Sequence, residues 1–173
     1  MLVHRLERKY AHRPHRNDWA TPAWTGAMIE SHPNILEVEE GYEIEPGVRI
    51  MDTPGHSPGS ISVQVETDNG LCVVTGDVLH YSDVALTRKN PLVFWNEEQA
   101  TRSIDRIVGV ADAIYPGHDR PFRVVKGEIE YLESPKMTIL GVSPADPDVT
   151  IETGSRPTWV MPGIEEQSIE SLG

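Results

Sequence analysis

Between residues 42 and 75 the chain alternates apolar and polar residues in short segments that turn sequences separate. Three segments have the two-residue period that is typical of half-buried strands: 42–45, 48–51 and 61–66. Two turn sequences, Glu45-Pro46-Gly47 and Asn69-Gly70, punctuate the region, and Asn-Gly is a strong hairpin signal. The continuous apolar run at 71–75 predicts a strand that is buried on both faces. This region therefore predicts a series of sheet strands.

A single clear amphipathic helix follows these strands. Asn96 is a good N-cap, Gln99 stands three residues later, and apolar residues recur at helical spacing up to Gly109. The segment 113–115 then predicts a short strand. Weaker patterns predict a helix over 2–11 and strands over 122–125, 149–152 and 158–161. The order β-β-β-α-β indicates an α/β domain, of the α+β type, in which strands dominate.

Composition narrows the possible functions. The 173 residues fit one domain of common size, and no apolar run approaches the length of a membrane helix. A formal charge of −12 disfavours nucleic-acid and anionic membrane partners. One cysteine, Cys72, excludes an internal disulfide framework. We expect a cytoplasmic protein.

Three polar residues follow predicted strands and stand beside glycine. They are His56 in the octapeptide 53–60, Asp77 in Thr75-Gly76-Asp77, and His118 in Pro116-Gly117-His118-Asp119. Loops at strand ends are where a rigid sheet presents functional side chains. Two imidazoles and a carboxylate suit Zn²⁺, and a carboxylate can bridge two ions. These residues are therefore candidate metal ligands.

The octapeptide Thr-Pro-Gly-His-Ser-Pro-Gly-Ser, the later Thr-Gly-Asp and the final Pro-Gly-His-Asp together resemble the metallo-β-lactamase-fold hydrolases. The order of these motifs is most similar to the N-acyl-homoserine lactonase branch, over roughly residues 1–125. The resemblance implies a four-layer α/β/β/α sandwich, of which this chain would be the C-terminal half. It also implies two Zn²⁺ ions, with His56 on the first, His118 on the second and Asp77 bridging them.

The sequence lacks the His-x-His-x-Asp-His signature that supplies further ligands in this family. The nearest string, from His12 to Asp18, has the wrong spacing, and we interpret it as coincidence. We therefore expect a chain that starts inside the domain, with residues 1–127 as a partial domain and 128–173 as a loop-rich extension packing on it. Three residues shared between two ions fill neither site, so occupancy would depend on chance ligands such as His80, His12 or His15.

Two more residues are candidates near Asp77. In lactonase relatives a tyrosine close to this point helps to polarise the substrate carbonyl. His80 occupies that place in this sequence, and Tyr81 is the next residue. With Asp77, both are therefore candidate catalytic residues. Asp119 and Asp52 are candidates to orient the second ring nitrogens of the histidine ligands, and an ordinary turn residue is the alternative for each.

Three functional hypotheses follow. The first is a metal-dependent hydrolase of ester, lactone or thioester bonds that uses water activated by the metal, inactive as the isolated chain unless the missing ligands are supplied. The second is a catalytically inactive half-domain that forms a homodimer or binds a partner through an uncovered sheet. The third is a mononuclear iron oxygenase on the same scaffold, because a fold does not fix the chemistry.

Overall fold

Strands dominate the structure, a computed structural model that describes residues 1–22, 24–140 and 148–152. The strands are β1 (Leu2–His4), β2 (Leu36–Val38), β3 (Glu43–Glu45), β4 (Val48–Asp52), β5 (Ile61–Thr67), β6 (Gly70–Gly76), β7 (Ala113–Pro116), β8 (Phe122–Val125), β9 (Glu128–Tyr131), β10 (Lys136–Leu140) and β11 (Asp148–Glu152). The helices are α1 (Arg5–Tyr10), α2 (Thr25–Ser31), α3 (Val84–Thr87) and α4 (Glu97–Val110). The predicted mixed α/β class is confirmed.

Seven strands form the main sheet, in the order β3-β4-β5-β6-β7-β8-β9. All neighbours in this sheet are antiparallel except β6 and β7, which are parallel. Parallel neighbours need a crossover connection, and the chain between β6 and β7 contains α3 and α4. Two further sheets have two strands each, β1 with β2 and β10 with β11.

Helix α4 begins where its N-cap predicts. The Asn96 Oδ1 atom accepts a hydrogen bond of 2.7 Å from the Gln99 amide, which satisfies one of the free amides of the first turn. The helix runs to Val110, one residue beyond the predicted end at Gly109. No helix in the described residues is both long enough and apolar enough to cross a membrane.

The main core lies between α4 and one face of the sheet. Ile104 and Ile107 of α4 are fully buried against sheet residues such as Met51, Val73 and Ile114. Burying each such side chain contributes about 1.5–3 kcal/mol. This packing fixes the β6-α4-β7 crossover on the sheet.

The opposite face of the sheet is more exposed than the sequence predicts. Val63, Val74 and Tyr115 form one row across β5, β6 and β7, and Val74 and Tyr115 are 45% and 40% exposed. The prediction that β6 is buried on both faces is therefore wrong, because α4 covers only the face that carries Val73. We call the face around Val74 and Tyr115 the open face.

The N-terminal helix is shorter than predicted. Residues Leu2–His4 form β1, which pairs in parallel with β2, and the helix begins only at Arg5. The His4 Nδ1 atom caps it by accepting from the Leu6 amide at 3.2 Å. A strand pairing across more than thirty residues leaves no local sequence pattern, so periodicity alone assigned 2–11 to one helix.

The boundary predicted after residue 127 lies in the turn between β8 and β9, two strands of the same sheet. The strand predicted over 149–152 corresponds to β11. The segment predicted over 158–161 lies outside the described residues. A separate extension from 128 to 173 packing on the domain stays a prediction.

Candidate metal centre

Three loops that carry candidate ligands lie at one edge of the main sheet. Strand β5 runs antiparallel to both β4 and β6, and β7 is parallel to β6. Strands β4, β6 and β7 therefore point the same way and end at the same edge. His56 follows β4, Asp77 follows β6 and His118 follows β7.

The Asp77 carboxylate lies at the centre of these loops. Its Oδ1 atom is 3.2 Å from His118 Nε2 and 3.9 Å from His80 Nε2. Its Oδ2 atom is 3.7 Å from His56 Nε2. Each carboxylate oxygen therefore faces a different set of imidazoles.

The His56 ring is oriented from behind by the main chain. Its Nδ1 atom lies 2.6 Å from the carbonyl oxygen of Leu92, and its own carbonyl accepts from the Phe94 amide at 2.9 Å. A carbonyl oxygen only accepts, so Nδ1 carries the proton and Nε2 presents its lone pair. That lone pair is available to a metal ion beside Asp77.

His80 has the same arrangement in a more buried position. Its side chain is only 2% exposed, and its Nδ1 atom lies 2.9 Å from the carbonyl oxygen of Asp77, three residues earlier. Burial lowers the pKa of the imidazole, although the Asp77 charge opposes this shift. A neutral imidazole whose Nε2 faces the carboxylate is the form that binds metals.

His118 lies on the outer side of the cluster. Its side chain is 54% exposed, and its ring stacks on His80 with centroids 4.6 Å apart and planes 6° from parallel. The amides of Gly117 and His118 donate to the carbonyls of Leu79 and His80, at 3.2 and 2.9 Å. These two backbone bonds hold the loops after β6 and β7 together.

The glycines beside the candidate ligands permit close approach of the backbone. A Cβ atom at position 117 would lie 2.6 Å from Asp77 Oδ1. A Cβ atom on Gly55, where φ is +142°, would lie 2.3 Å from the Ala100 amide nitrogen. The Gly-His pairs in the sequence therefore reflect contacts that a larger residue would prevent.

Tyr81 lies beside the histidines. Its ring centroid is 5.8 Å from that of His80 and 6.3 Å from that of His118. Burial and the negative charges of Asp119, Asp77 and Asp83 raise the pKa of the phenol. The hydroxyl therefore remains protonated, and able to donate a hydrogen bond, at neutral pH.

The two acids considered as partners of the histidine ligands, Asp119 and Asp52, contact other groups. The Asp119 carboxylate accepts hydrogen bonds from the Ser82 and Arg120 amides, at 3.0 and 2.8 Å. Asp52 lies 3.5 Å from His4 Nε2. Of the two alternatives for these acids, the orienting role does not hold for His56, because the Leu92 carbonyl oxygen already contacts its Nδ1 atom.

The sequence motifs do not identify two residues that hold the loops of the candidate ligands, Asn90 and Glu7. The Asn90 side-chain amide donates to the carbonyls of Asp77 and Val78, at 2.6 and 2.9 Å, and so fixes the turn that carries His80. The Glu7 carboxylate accepts from Ser57 Oγ at 2.5 Å and from the Gly59 amide at 3.1 Å, which holds the loop of His56. Neither residue belongs to a motif, since both act on loops distant in sequence.

Within the described residues, one group of three side chains brings metal-binding atoms within 4.8 Å of one another: Asp77, His80 and His118. The N-terminal histidines are engaged elsewhere. His12 lies 3.5 Å from Glu30, and the ring of His15 lies 6.3 Å from that of Phe94. The structure thus brings His80 into the cluster and gives neither His12 nor His15 a ligand contact there.

A family model of the metallo-beta-lactamase superfamily matches residues 2–118, which include the whole cluster. The chain belongs to the metallo-β-lactamase superfamily. The predicted resemblance is confirmed, and the mixed α/β fold agrees with it.

The relatives found for this superfamily member include lactonases. An N-acyl homoserine lactonase of Bacillus thuringiensis is 36% identical over 100 residues, which are 53% of this chain and 38% of the lactonase. Metallo-beta-lactamase domain-containing protein 1 of Mus musculus is 37% identical over 121 residues, 62% of this chain and 45% of that protein.

A solved N-acyl homoserine lactone hydrolase, with the product N-hexanoyl-L-homoserine at its catalytic metal centre, superposes with a TM-score of 0.54 at 29% identity. The match covers 68% of this chain and 46% of that one. The predicted lactonase-like branch is therefore confirmed, and the chain spans less than half the length of these relatives.

Proposed function

We propose that this chain carries the metal-binding edge of a hydrolase for ester, lactone or thioester bonds. The observation that carries the proposal is the position of the Asp77 carboxylate between two imidazoles. His56 Nε2 faces one of its oxygens at 3.7 Å, and His118 Nε2 faces the other at 3.2 Å. A carboxylate with one imidazole on each side is suited to bridge two metal ions.

The donor atoms fit zinc. Two nitrogen donors with a carboxylate form a set that Zn²⁺ accepts, and the Nδ1 contact of His56 with the Leu92 carbonyl is the outer-shell support typical of metal-binding histidines. His56 would hold a metal on one side of Asp77 and His118 on the other. A metal bound here would lower the pKa of water and polarise a carbonyl group.

The chain's own residues supply the remaining functions. Tyr81 keeps its proton at neutral pH and would donate a hydrogen bond to the substrate carbonyl oxygen. The exposure of His118 leaves the cluster open to a substrate from solvent. The inner side is closed, because His80 is almost fully buried.

The choice of substrate rests on the relatives. The lactonases named above act on N-acyl homoserine lactones, so a lactone is the first substrate to test. Zinc as the metal is part of the proposal, while a cytoplasmic location and the lack of a nucleic-acid partner stay predictions from composition.

The test is hydrolysis of N-hexanoyl-L-homoserine lactone by the zinc-loaded chain, followed by chromatography of the ring-opened product. The sequence predicts an inactive isolated chain unless further ligands are supplied, and His80 lies with Asp77 and His118 as such a ligand. We therefore expect product formation that chelation abolishes and that Asp77→Asn lacks. The exposed turn residue Asp68 provides the control, because Asp68→Asn removes a carboxylate outside the cluster. A rate equal to that of Asp77→Asn for lactone, ester and thioester alike would contradict the proposal. Substrate oxidation that requires iron and consumes dioxygen would instead favour the oxygenase hypothesis.

A second candidate function is association through the open face. Val74 and Tyr115 expose apolar surface there, and apolar patches on a sheet favour association. Sedimentation velocity tests this candidate: a dimer that Val74→Glu dissociates would support it. Val110→Glu is the matched control, because Val110 is 44% exposed on α4. A wild-type monomer contradicts this candidate.

A further inference from the structure

We infer that His80 is a metal ligand and that Asp77, His80 and His118 together bind one zinc ion per chain. The inference rests on the proposed metal-dependent function and deepens it. It adds a third protein donor to the Oδ1 side of Asp77, where the family resemblance assigned only one histidine, His118. With three donors, the site no longer depends on chance ligands from the N-terminal region.

The first argument is the orientation of a buried imidazole. His80 is 2% exposed, and its Nδ1 atom is taken by the Asp77 carbonyl at 2.9 Å. Its Nε2 atom faces Asp77 Oδ1 at 3.9 Å, which exceeds the length of a hydrogen bond. A cation between these two atoms would bind both the lone pair and the carboxylate.

The second argument is the spacing of the three donors. Their ligand atoms lie within 4.8 Å of one another. Two donors on one tetrahedral Zn²⁺, each at about 2.0–2.2 Å, are separated by about 3.3–3.6 Å. The pair Asp77 Oδ1 and His118 Nε2, at 3.2 Å, is already close to that separation, and His80 Nε2, at 3.9 Å from Oδ1, exceeds it slightly. The remaining gap, between the two imidazoles, needs to close by at most about 1.5 Å.

The third argument concerns which residue can move to close the site. His80 is fixed by burial and by its Nδ1 contact, and the turn before it is fixed by Asn90. His118 is 54% exposed, so its ring can rotate out of the stack on His80 towards the ion. The backbone of His118 is held in place, because its amide donates a hydrogen bond to the His80 carbonyl at 2.9 Å.

The fourth argument concerns stoichiometry. Three protein ligands with one open position are the pattern of catalytic zinc sites. On the other side of Asp77, the described residues supply His56 and the Oδ2 atom. We therefore expect one tightly bound ion per chain, on the Oδ1 side.

Metal analysis of the full chain after dialysis against zinc tests the inference, together with calorimetric titration of zinc. We expect about one zinc per wild-type chain. His80→Asn should bind zinc at least about 100-fold more weakly, because losing a ligand exceeds the cost of losing an outer-shell partner. His32→Asn is the control, since His32 is exposed and outside the cluster.

A spectroscopic measurement avoids reliance on a folded variant. Zinc-edge X-ray absorption of the wild-type chain counts the bound imidazoles, and we expect two.

The variant His80→Cys adds a second readout: with Co²⁺, a thiolate ligand gives a sulfur-to-metal charge-transfer band. A residue that only supports the fold would not produce that band.

The outcomes separate this inference from the proposed function. Zinc binding by His80→Asn at wild-type affinity, or a single imidazole on the zinc, would overturn the inference and leave hydrolysis at Asp77 standing. If zinc binding depends on His80 but no lactone, ester or thioester is hydrolysed, the inference is supported and the proposed function is contradicted. No zinc binding by the wild-type chain would overturn both.

Discussion

The histidines around Asp77 are held in two different ways. His56 and His80 are 17% and 2% exposed, and each has its Nδ1 atom against a main-chain carbonyl oxygen. His118 is 54% exposed and lies on the outside, stacked on His80. The first two are the inner histidines, and their rings are oriented before any metal arrives.

This difference separates two requirements of a metal site. Prior orientation of the inner histidines lowers the entropy lost when a metal binds. The exposed His118 retains the freedom to adjust its distance to the ion. A site built this way is rigid on the protein side and open on the solvent side, which suits a substrate that enters from solution.

The largest effect should come from the carboxylate that the inner and outer histidines share. Asp77→Asn removes the charge that faces all three imidazoles, so we expect at least about a 100-fold loss of zinc affinity by calorimetry. Asp68→Asn should bind zinc as the wild type does. Zinc binding retained by Asp77→Asn would contradict this account, because the Asp77 carboxylate would then not be the ligand that the inner and outer histidines share.

The next effect concerns stability in the absence of metal. His80→Ala leaves a cavity and removes a hydrogen bond, so we expect a loss of about 1–3 kcal/mol in the free energy of unfolding. His118→Ala should change it by less than about 0.5 kcal/mol. Denaturant unfolding of the metal-free variants measures both. Equal losses would show that inner and outer histidines are held alike.

A smaller effect should follow from loosening the turn that carries His80. Asn90→Ala removes three hydrogen bonds: two donated to the carbonyls of Asp77 and Val78, and one accepted from the Leu92 amide. We expect zinc affinity to fall about 10-fold, as for loss of other outer-shell partners. Lys89→Ala, at the exposed neighbouring residue, is the control for calorimetry. An unchanged affinity in Asn90→Ala would mean that the turn is rigid without it.

The smallest effect concerns the support of the His56 loop by Glu7. Burial raises the pKa of Glu7 above 4.5, although hydrogen bonds from Ser57 and Gly59 oppose this shift. The folded state therefore holds the proton more tightly than the unfolded state, so stability falls as pH rises from 4.5 through the raised pKa.

Glu7→Gln should remove this part of the pH dependence, and Glu39→Gln, at an exposed glutamate, should keep it. Urea unfolding at a series of pH values measures the slope. The same slope in Glu7→Gln and the wild type would contradict the assignment.

Much of the fold follows from local patterns in the sequence. The alternating segments predicted β3, β4 and β5, the apolar run 71–75 predicted β6, and the cap at Asn96 predicted α4. The pairing of β1 with β2 escaped prediction because it joins three-residue strands far apart in the chain. The exposure of Val74 was not predicted either, because an apolar run does not show which faces of a strand other elements cover.

The candidate site divides in the same way. His56, Asp77 and His118 were found because each follows a strand beside glycine, and parallel directions bring such strand ends together. The position of His80 was open, since its spacing from Asp77 fits either a ligand or a packing role. Asn90 and Glu7 gave no signal, because their contacts depend on how separate loops meet.

The most direct test of the metal centre is a crystal structure of the chain with zinc, recorded at the zinc absorption edge. We predict one anomalous peak per chain, about 2.0–2.2 Å from Asp77 Oδ1, His80 Nε2 and His118 Nε2. A peak that His80 does not reach, or zinc at His12 and His15 with none beside Asp77, would contradict the account.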